Sequence, residues 1–210
     1  MNRIDIILEE TKDRDVLDIG CIDMDKSMYL YNAIKSRARS VTGIDTQKVR
    51  GIIQGNFETM KMKRKFSCII AGEVIEHLDN IGLFLDNCKR HLSPGGKLII
   101  TTPNSLSIER IVRHIFTGKV KQDSFLKANI NEHTCYFTFE VLERLLYRHG
   151  FKISKKLFVN HEIHDKNFSG SRYPKLAKTI HKTKNLFKKL RPHFRDTLLV
   201  VAVHKNKNKG

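Results

Sequence analysis

Five carboxylates stand where this chain could do chemistry. Asp18 and Asp23 flank the turn at Gly20-Cys21, Asp45 ends the apolar run 40–44, and Glu73 and Glu76 follow the run 67–71. An ionised carboxylate only accepts hydrogen bonds, so it suits cationic groups and the paired hydroxyls of a ribose. A pyrophosphate instead prefers backbone N–H groups at a helix N-terminus, and a dinucleotide site would need Gly-x-Gly-x-x-Gly. The turn 20–25 holds one glycine, which excludes that fingerprint. Taken singly, Asp23 and Glu76 also fit helix capping, whereas Asp45 fits a ribose better than a cap. Two histidines accompany the acids. His77 follows the run 67–71, and His133 precedes a helix that Thr138 would cap. An imidazole there could take the proton of an acceptor hydroxyl, although His77 could equally serve to fix its loop. No His or Cys spacing matches a metal site, and none is expected.

The elements that must position these residues alternate. Apolar runs 16–19, 40–44, 52–53, 67–71 and 97–102 read as buried strands, with further strands over 152–159 and 197–204. Helical periodicity runs over 24–38, and Ile81, Leu85, Cys88 and Leu92 mark a second helix capped by Asp79 or Asn80. Ser93-Pro94-Gly95-Gly96 reads as a turn. Residues 105–116 put Ile108, Ile111, Val112, Ile115 and Phe116 on one side, and 138–149 form another helix stopped by Gly150. Strand–helix alternation implies right-handed crossovers and a doubly wound α/β fold, with a mostly parallel sheet and helices on both faces. Ligands of such sheets sit outside the carboxyl ends of the strands. The loops starting at Gly20, Asp45, Gly55, Gly72 and Pro103 should therefore share one edge.

The 210 residues suit one domain, 1–210, without repeat or internal boundary. Residues 1–12 mix charged and apolar side chains and do not read as a secretory signal. Four unpaired cysteines (Cys21, Cys68, Cys88, Cys135) point to reduced thiols and a cytoplasmic setting. The net charge of +17 is uneven, because residues 166–195 carry ten Lys or Arg and no Asp or Glu. Pro174 to Leu190 reads as a basic amphipathic helix, with Leu176, Ile180, Thr183, Phe187 and Leu190 on one face. Such a helix either seeks an anionic membrane surface or packs as a lid with a solvated basic side. Residues 104–132 and 160–195 are the irregular insertions, and together they could roof an acceptor site.

With these pieces in order, Val16–Cys21 resembles the first motif of the class I (Rossmann-like) methyltransferases. Gly43-Ile44-Asp45 resembles their second-strand acid, and Gly55-Asn56-Phe57-Glu58 stands where that family often has Gly-Asp-Ala-Glu. FSCIIAGEVIEHL (66–78), LSPGGKLIITTPN (92–104) and Glu132-His133-Thr134 are similar to the ubiquinone-biosynthesis O-methyltransferase branch, and more loosely to methyltransferases of cell-surface glycan gene clusters. The resemblance implies a seven-stranded sheet with an antiparallel last strand and S-adenosylmethionine as cofactor. It implies that Asp18, Gly20 and Cys21 shape the methionine end, that Asp45 holds the ribose beside Thr46, that Asn56 and the Phe57 backbone face the adenine, and that Ala71 and Glu73 line the floor below the sulfonium. His133 and His77 are then the catalytic candidates. The chain departs from the family at Ile22 and Met24, where later glycines are usual. The expected acceptor is a small molecule, a glycan or a lipid-linked compound, with peripheral contact to an anionic membrane. An RNA methyltransferase using the basic segment is the alternative, as is a non-catalytic binding protein on the same fold. Nucleic acid is the lesser expectation, because no aromatic-interleaved basic patch is present.

Overall fold

The computed structural model describes residues 2–23, 27–118, 133–160 and 174–204. Its seven strands are β1 (Asp15–Ile19), β2 (Ser40–Asp45), β3 (Ile53–Gln54), β4 (Phe66–Gly72), β5 (Leu92–Pro103), β6 (Phe151–Val159) and β7 (Thr197–His204). They form one sheet in the order β3-β2-β1-β4-β5-β7-β6. All neighbours from β3 through β5 pair in parallel, and β7 runs antiparallel to both β5 and β6. The parallel order carries Gly20, Asp45, Glu73 and Asn104 to one edge, as the alternation of strand and helix predicts.

The helices are α1 (Arg3–Thr11), α2 (Tyr29–Lys35), α3 (Ile81–His91), α4 (Ile108–Thr117), α5 (Phe139–Arg148) and α6 (Pro174–Leu190). Alternate strand residues supply two cores, because successive side chains point to opposite faces. Leu17, Ile69, Leu98, Ile100 and Val200 pack with Phe84 and Leu85 of α3 and with Leu142 and Leu146 of α5. Val16, Ile70, Ile99, Leu199 and Val201 pack with Ile6 and Ile7 of α1 and Ile34 of α2. Each buried aliphatic side chain of this kind contributes about 2 kcal/mol relative to exposure. Both faces of the central strands are covered, which explains their continuous apolar runs.

Several expectations need correction. The helix expected over 24–38 starts at Tyr29, and Met24 lies outside the described residues. Residues 1–12, assigned no element from sequence, contain α1, which Asn2 caps by accepting from the Ile4 N–H at 3.4 Å. Ser93-Pro94-Gly95-Gly96 is a bulge inside β5 and no free turn. Phe66 pairs with Leu92 and Cys68 with Lys97, so the intervening residues of β5 bow out, with Gly95 at φ +71°. The one-sided stripe read over 105–116 does form on α4, and Val112, Ile115 and Phe116 of it are exposed, the last at 82%. Asn80 and Thr138 do cap α3 and α5, and α6 spans the range read from its periodicity. The insertion residues 119–132 and 161–173 lie outside the described residues.

Candidate active site

The first half of the site forms where β1 meets β2. Gly20 leaves β1 at φ +68° and donates its N–H to the Ile44 carbonyl at 2.8 Å. A Cβ on Gly20 would stand 2.5 Å from Val74 Cγ2, so conformation and space both require glycine. Asp18 is buried, and its Oδ2 has no hydrogen-bond partner. Burial first, then the neighbouring charges of Asp23 and Asp45, push its carboxyl up to about 8. Asp45 accepts the Ile22 N–H on Oδ2 at 3.0 Å and the Gln47 N–H on Oδ1 at 2.9 Å. It thereby ties the first loop to the end of β2. Each Asp45 oxygen still has a lone pair for a ligand hydroxyl.

Cys21 and Ile22 point into a small apolar cluster with Tyr31. Burial pushes the Cys21 thiol up to about 12, so it is no nucleophile at neutral pH. Thr46 is exposed beside Asp45, and its carbonyl accepts Gln54 Nε2 at 3.2 Å. Asn56 is held by Glu58 in both directions: its Nδ2 donates to Oε2 at 3.0 Å and its Oδ1 accepts the Glu58 N–H at 2.8 Å. The Phe57 side chain belongs to the core, edge-on to Phe84 at 5.9 Å, and its carbonyl accepts Asn87 Nδ2 at 2.7 Å.

The second half forms where β4 and β5 end. Ala71 is fully buried. Glu73 has φ +57°, strained for a side chain with a Cβ, while its N–H donates to the Thr101 carbonyl at 2.9 Å. Arg3 of α1 pairs with Glu73 at 3.4 Å and donates to Thr101 Oγ1 at 3.4 Å. Sequence reasoning missed Arg3, because only the packing of α1 on the sheet carries it to this edge. Glu76 is buried on a single turn of 3-10 helix, and its Oε2 accepts Thr102 Oγ1 at 3.0 Å. Burial, followed by the nearby Glu73, pushes its carboxyl up to about 8. The Glu76 carbonyl accepts the N–H groups of Thr134 at 2.8 Å and Cys135 at 3.2 Å. This stapling brings His133 to His77, with ring centroids 4.7 Å apart. Glu76, His77 and His133 each offer a ligand atom, all within 4.8 Å of one another. Three such ligands can hold a divalent cation, an arrangement that chain spacing did not disclose.

The five acids of the sequence thus divide into two groups. Asp18, Asp23 and Asp45 act on one another at β1 and β2, while Glu73 and Glu76 sit at β4 with Arg3 beside them. The unpartnered Asp18 oxygen fits an ammonium, and Asp45 fits a ribose diol. Ile22, although no glycine, packs with Tyr31, Val41 and Ile52. The donor set therefore suits S-adenosylmethionine.

Known proteins resemble this chain in family and in fold. The family model described as a methyltransferase domain matches residues 3–156. The ubiquinone biosynthesis O-methyltransferase of Nitrobacter winogradskyi is 33% identical over 78 residues, covering 33% of this chain and 30% of that protein. The enzyme of the same name from Rickettsia prowazekii is 31% identical over 122 residues, covering 49% and 48%. The chain thus aligns with less than half the length of these curated relatives. Among solved structures, an S-adenosylmethionine-dependent methyltransferase of Clostridium acetobutylicum superposes with TM-score 0.61 at 11% identity, covering 97% of this chain and 91% of that one. The N-methyltransferase NodS of Bradyrhizobium japonicum, in complex with S-adenosyl-L-homocysteine, gives 0.55 at 13%, covering 96% and 85%. The chain belongs to the methyltransferase-domain family and has the class I fold of S-adenosylmethionine-dependent methyltransferases.

Proposed function

We propose that this protein transfers the methyl group of S-adenosylmethionine to a hydroxyl oxygen of a small-molecule, glycan or lipid-linked acceptor. The observation that carries the hydroxyl reading is the His77–His133 pair at 4.7 Å, beside buried Glu76 and in the segment that follows β4, whose end bears Ala71 and leads into Glu73. The cofactor supplies an electrophilic methyl on a sulfonium and a neutral thioether leaving group. The chain supplies position and a proton acceptor. Asp18 takes the ammonium, with the Gly20 and Cys21 backbone beside it, and Arg3 takes the carboxylate. Asp45 holds the ribose hydroxyls with Thr46 beside it. Asn56 and the Phe57 backbone face the adenine, and Ala71 and Glu73 form the floor. As the acceptor oxygen bonds to the methyl carbon and the C–S bond breaks, the acceptor proton passes to His133, which His77 orients.

The roof reading is part of the same proposal. Lys188 of α6 bonds Glu109 of α4 at 2.8 Å and Asp196 at 2.7 Å, which joins the two insertions. Ile115 and Phe116 of α4 stay exposed, as do Leu186 and Leu190 of α6, which share their helix with exposed Lys182 and Lys189. Apolar tips among lysines suit an anionic lipid surface, where a lipid-linked acceptor would be presented. The test of function is transfer of labelled methyl to soluble, lipid and nucleic-acid fractions of a cell extract, with wild type and His133→Gln. Labelling of a soluble or lipid acceptor that falls 100-fold or more in the variant is expected, since a positioned base contributes about 10²–10⁴-fold. Labelling confined to nucleic acid refutes the acceptor class, and labelling unchanged in the variant refutes the histidine-assisted mechanism.

A further inference from the structure

Arg110 occupies the first turn of α4. Its guanidinium lies over the Tyr136 ring, 5.8 Å from the centroid. Tyr136 faces His133 at 6.3 Å, and His133 faces His77 at 4.7 Å. Arg110 also acts electrostatically on Glu76. A cation, a phenol and two imidazoles therefore form one continuous wall beside Glu76. Within that wall Arg110 Nη1 is buried and has no hydrogen-bond partner.

The nearby acids do not satisfy it: Glu76 Oε2 accepts Thr102 Oγ1 and Oε1 of Glu109, the preceding residue on the helix, pairs with Lys188, while Glu76 Oε1 and Glu109 Oε2 are themselves buried without a hydrogen-bond partner. A buried donor without a partner is costly, and folded proteins keep few of them. A guanidinium is also a rigid fork that matches two oxygens of one anion.

We propose that Arg110 is the anion-recognition residue of the acceptor site, so that the methyl acceptor carries a carboxylate or phosphate group near its hydroxyl. This inference rests on the methyltransferase reading and narrows its substrate class. A neutral acceptor would leave the Arg110 N–H buried and unpaired, so the residue selects against it. Tyr136 holds the guanidinium plane, and His133 stands on the far side of Tyr136, facing the hydroxyl.

The test uses the full chain with saturating S-adenosylhomocysteine. EDTA is included so that no cation at Glu76, His77 and His133 can capture the anion. Ligand-observed NMR titrations compare 4-hydroxybenzoate and phenyl phosphate with neutral 4-hydroxybenzamide, in wild type, Arg110→Gln, Arg110→Lys and Arg113→Gln. Arg113 lies exposed on the same helix and controls for diffuse charge. One anionic probe should bind wild type and Arg113→Gln about 10-fold or more tighter than the amide, and which one distinguishes carboxylate from phosphate. Arg110→Gln should lose the preference, and Arg110→Lys should keep only part of it. Equal binding of the three probes, or a preference that survives Arg110→Gln, overturns the inference while cofactor binding stands. If S-adenosylhomocysteine itself does not bind, the functional reading falls and takes this inference with it.

Discussion

In the proposed reading, Asp18 concentrates the cofactor half of the site into one side chain. Its carboxyl is fully buried, lacks a partner on Oδ2 and is raised to about 8. An unfolded aspartate titrates near 3.9. Between about pH 4 and 8 the folded chain therefore holds a proton that the unfolded chain has lost. Stability must fall as pH rises through that window, by up to about 1.4 kcal/mol per pH unit from this group. Urea unfolding of the ligand-free protein at pH 5.5 and 7.5 should show that fall, and Asp18→Asn should lessen it by about 2 kcal/mol. An unchanged slope in the variant would mean that Asp18 is not held neutral. Asp18 and Asp45 are legible in the sequence because one interrupts a short apolar strand just before its end and the other ends one, and parallel strands end at one edge. Arg3 and the His77–His133 pair are not, since their positions depend on long-range packing: α1 against the sheet, and Thr134 and Cys135 against the Glu76 carbonyl.

Among the elements, α4 and α6 show what periodicity can and cannot disclose. The spacing of Ile108, Ile111, Val112 and Ile115 identifies a helix, but it does not say whether anything covers the stripe. In the structure the ends of α4 and α6 meet through charge. Lys188, on the basic side of amphipathic α6, is buried between Glu109 and Asp196. Its two partners hold its ammonium above the usual lysine range despite burial. Lys188→Met should cost about 2 kcal/mol, less than a fully buried pair because both carboxylates keep about a third of their surface in water. Limited proteolysis should then cut within α6 faster than in wild type. Wild-type resistance in the variant would show that the ion triad does not hold the helix. Ser93-Pro94-Gly95-Gly96 makes the complementary point. Its composition specifies a turn, and pairing with β4 converts that turn into a bulge whose φ +71° glycine is still needed.

Across the whole molecule the mostly parallel sheet, its two covered faces and the shared ligand edge follow from alternating apolar runs, whereas the antiparallel last strand is what the family resemblance implies. The surplus charge is a surface property. Lys175, Lys182 and Lys189 are exposed along α6, the last two close to the apolar tips of Leu186 and Leu190. Changing these three lysines to Glu should abolish co-sedimentation with phosphatidylglycerol vesicles at physiological salt, and equal sedimentation would remove the membrane reading. Everything at this scale depends on the edge formed by Asp18, Gly20 and Asp45 being a cofactor site. Calorimetric titration with S-adenosylhomocysteine at pH 7, repeated in buffers of different ionisation enthalpy, tests that most directly. The account predicts one ligand per chain and release of close to one proton, as Asp18 gives up its hydrogen to meet the ammonium. No heat of binding at millimolar ligand, or binding without proton release, would contradict it.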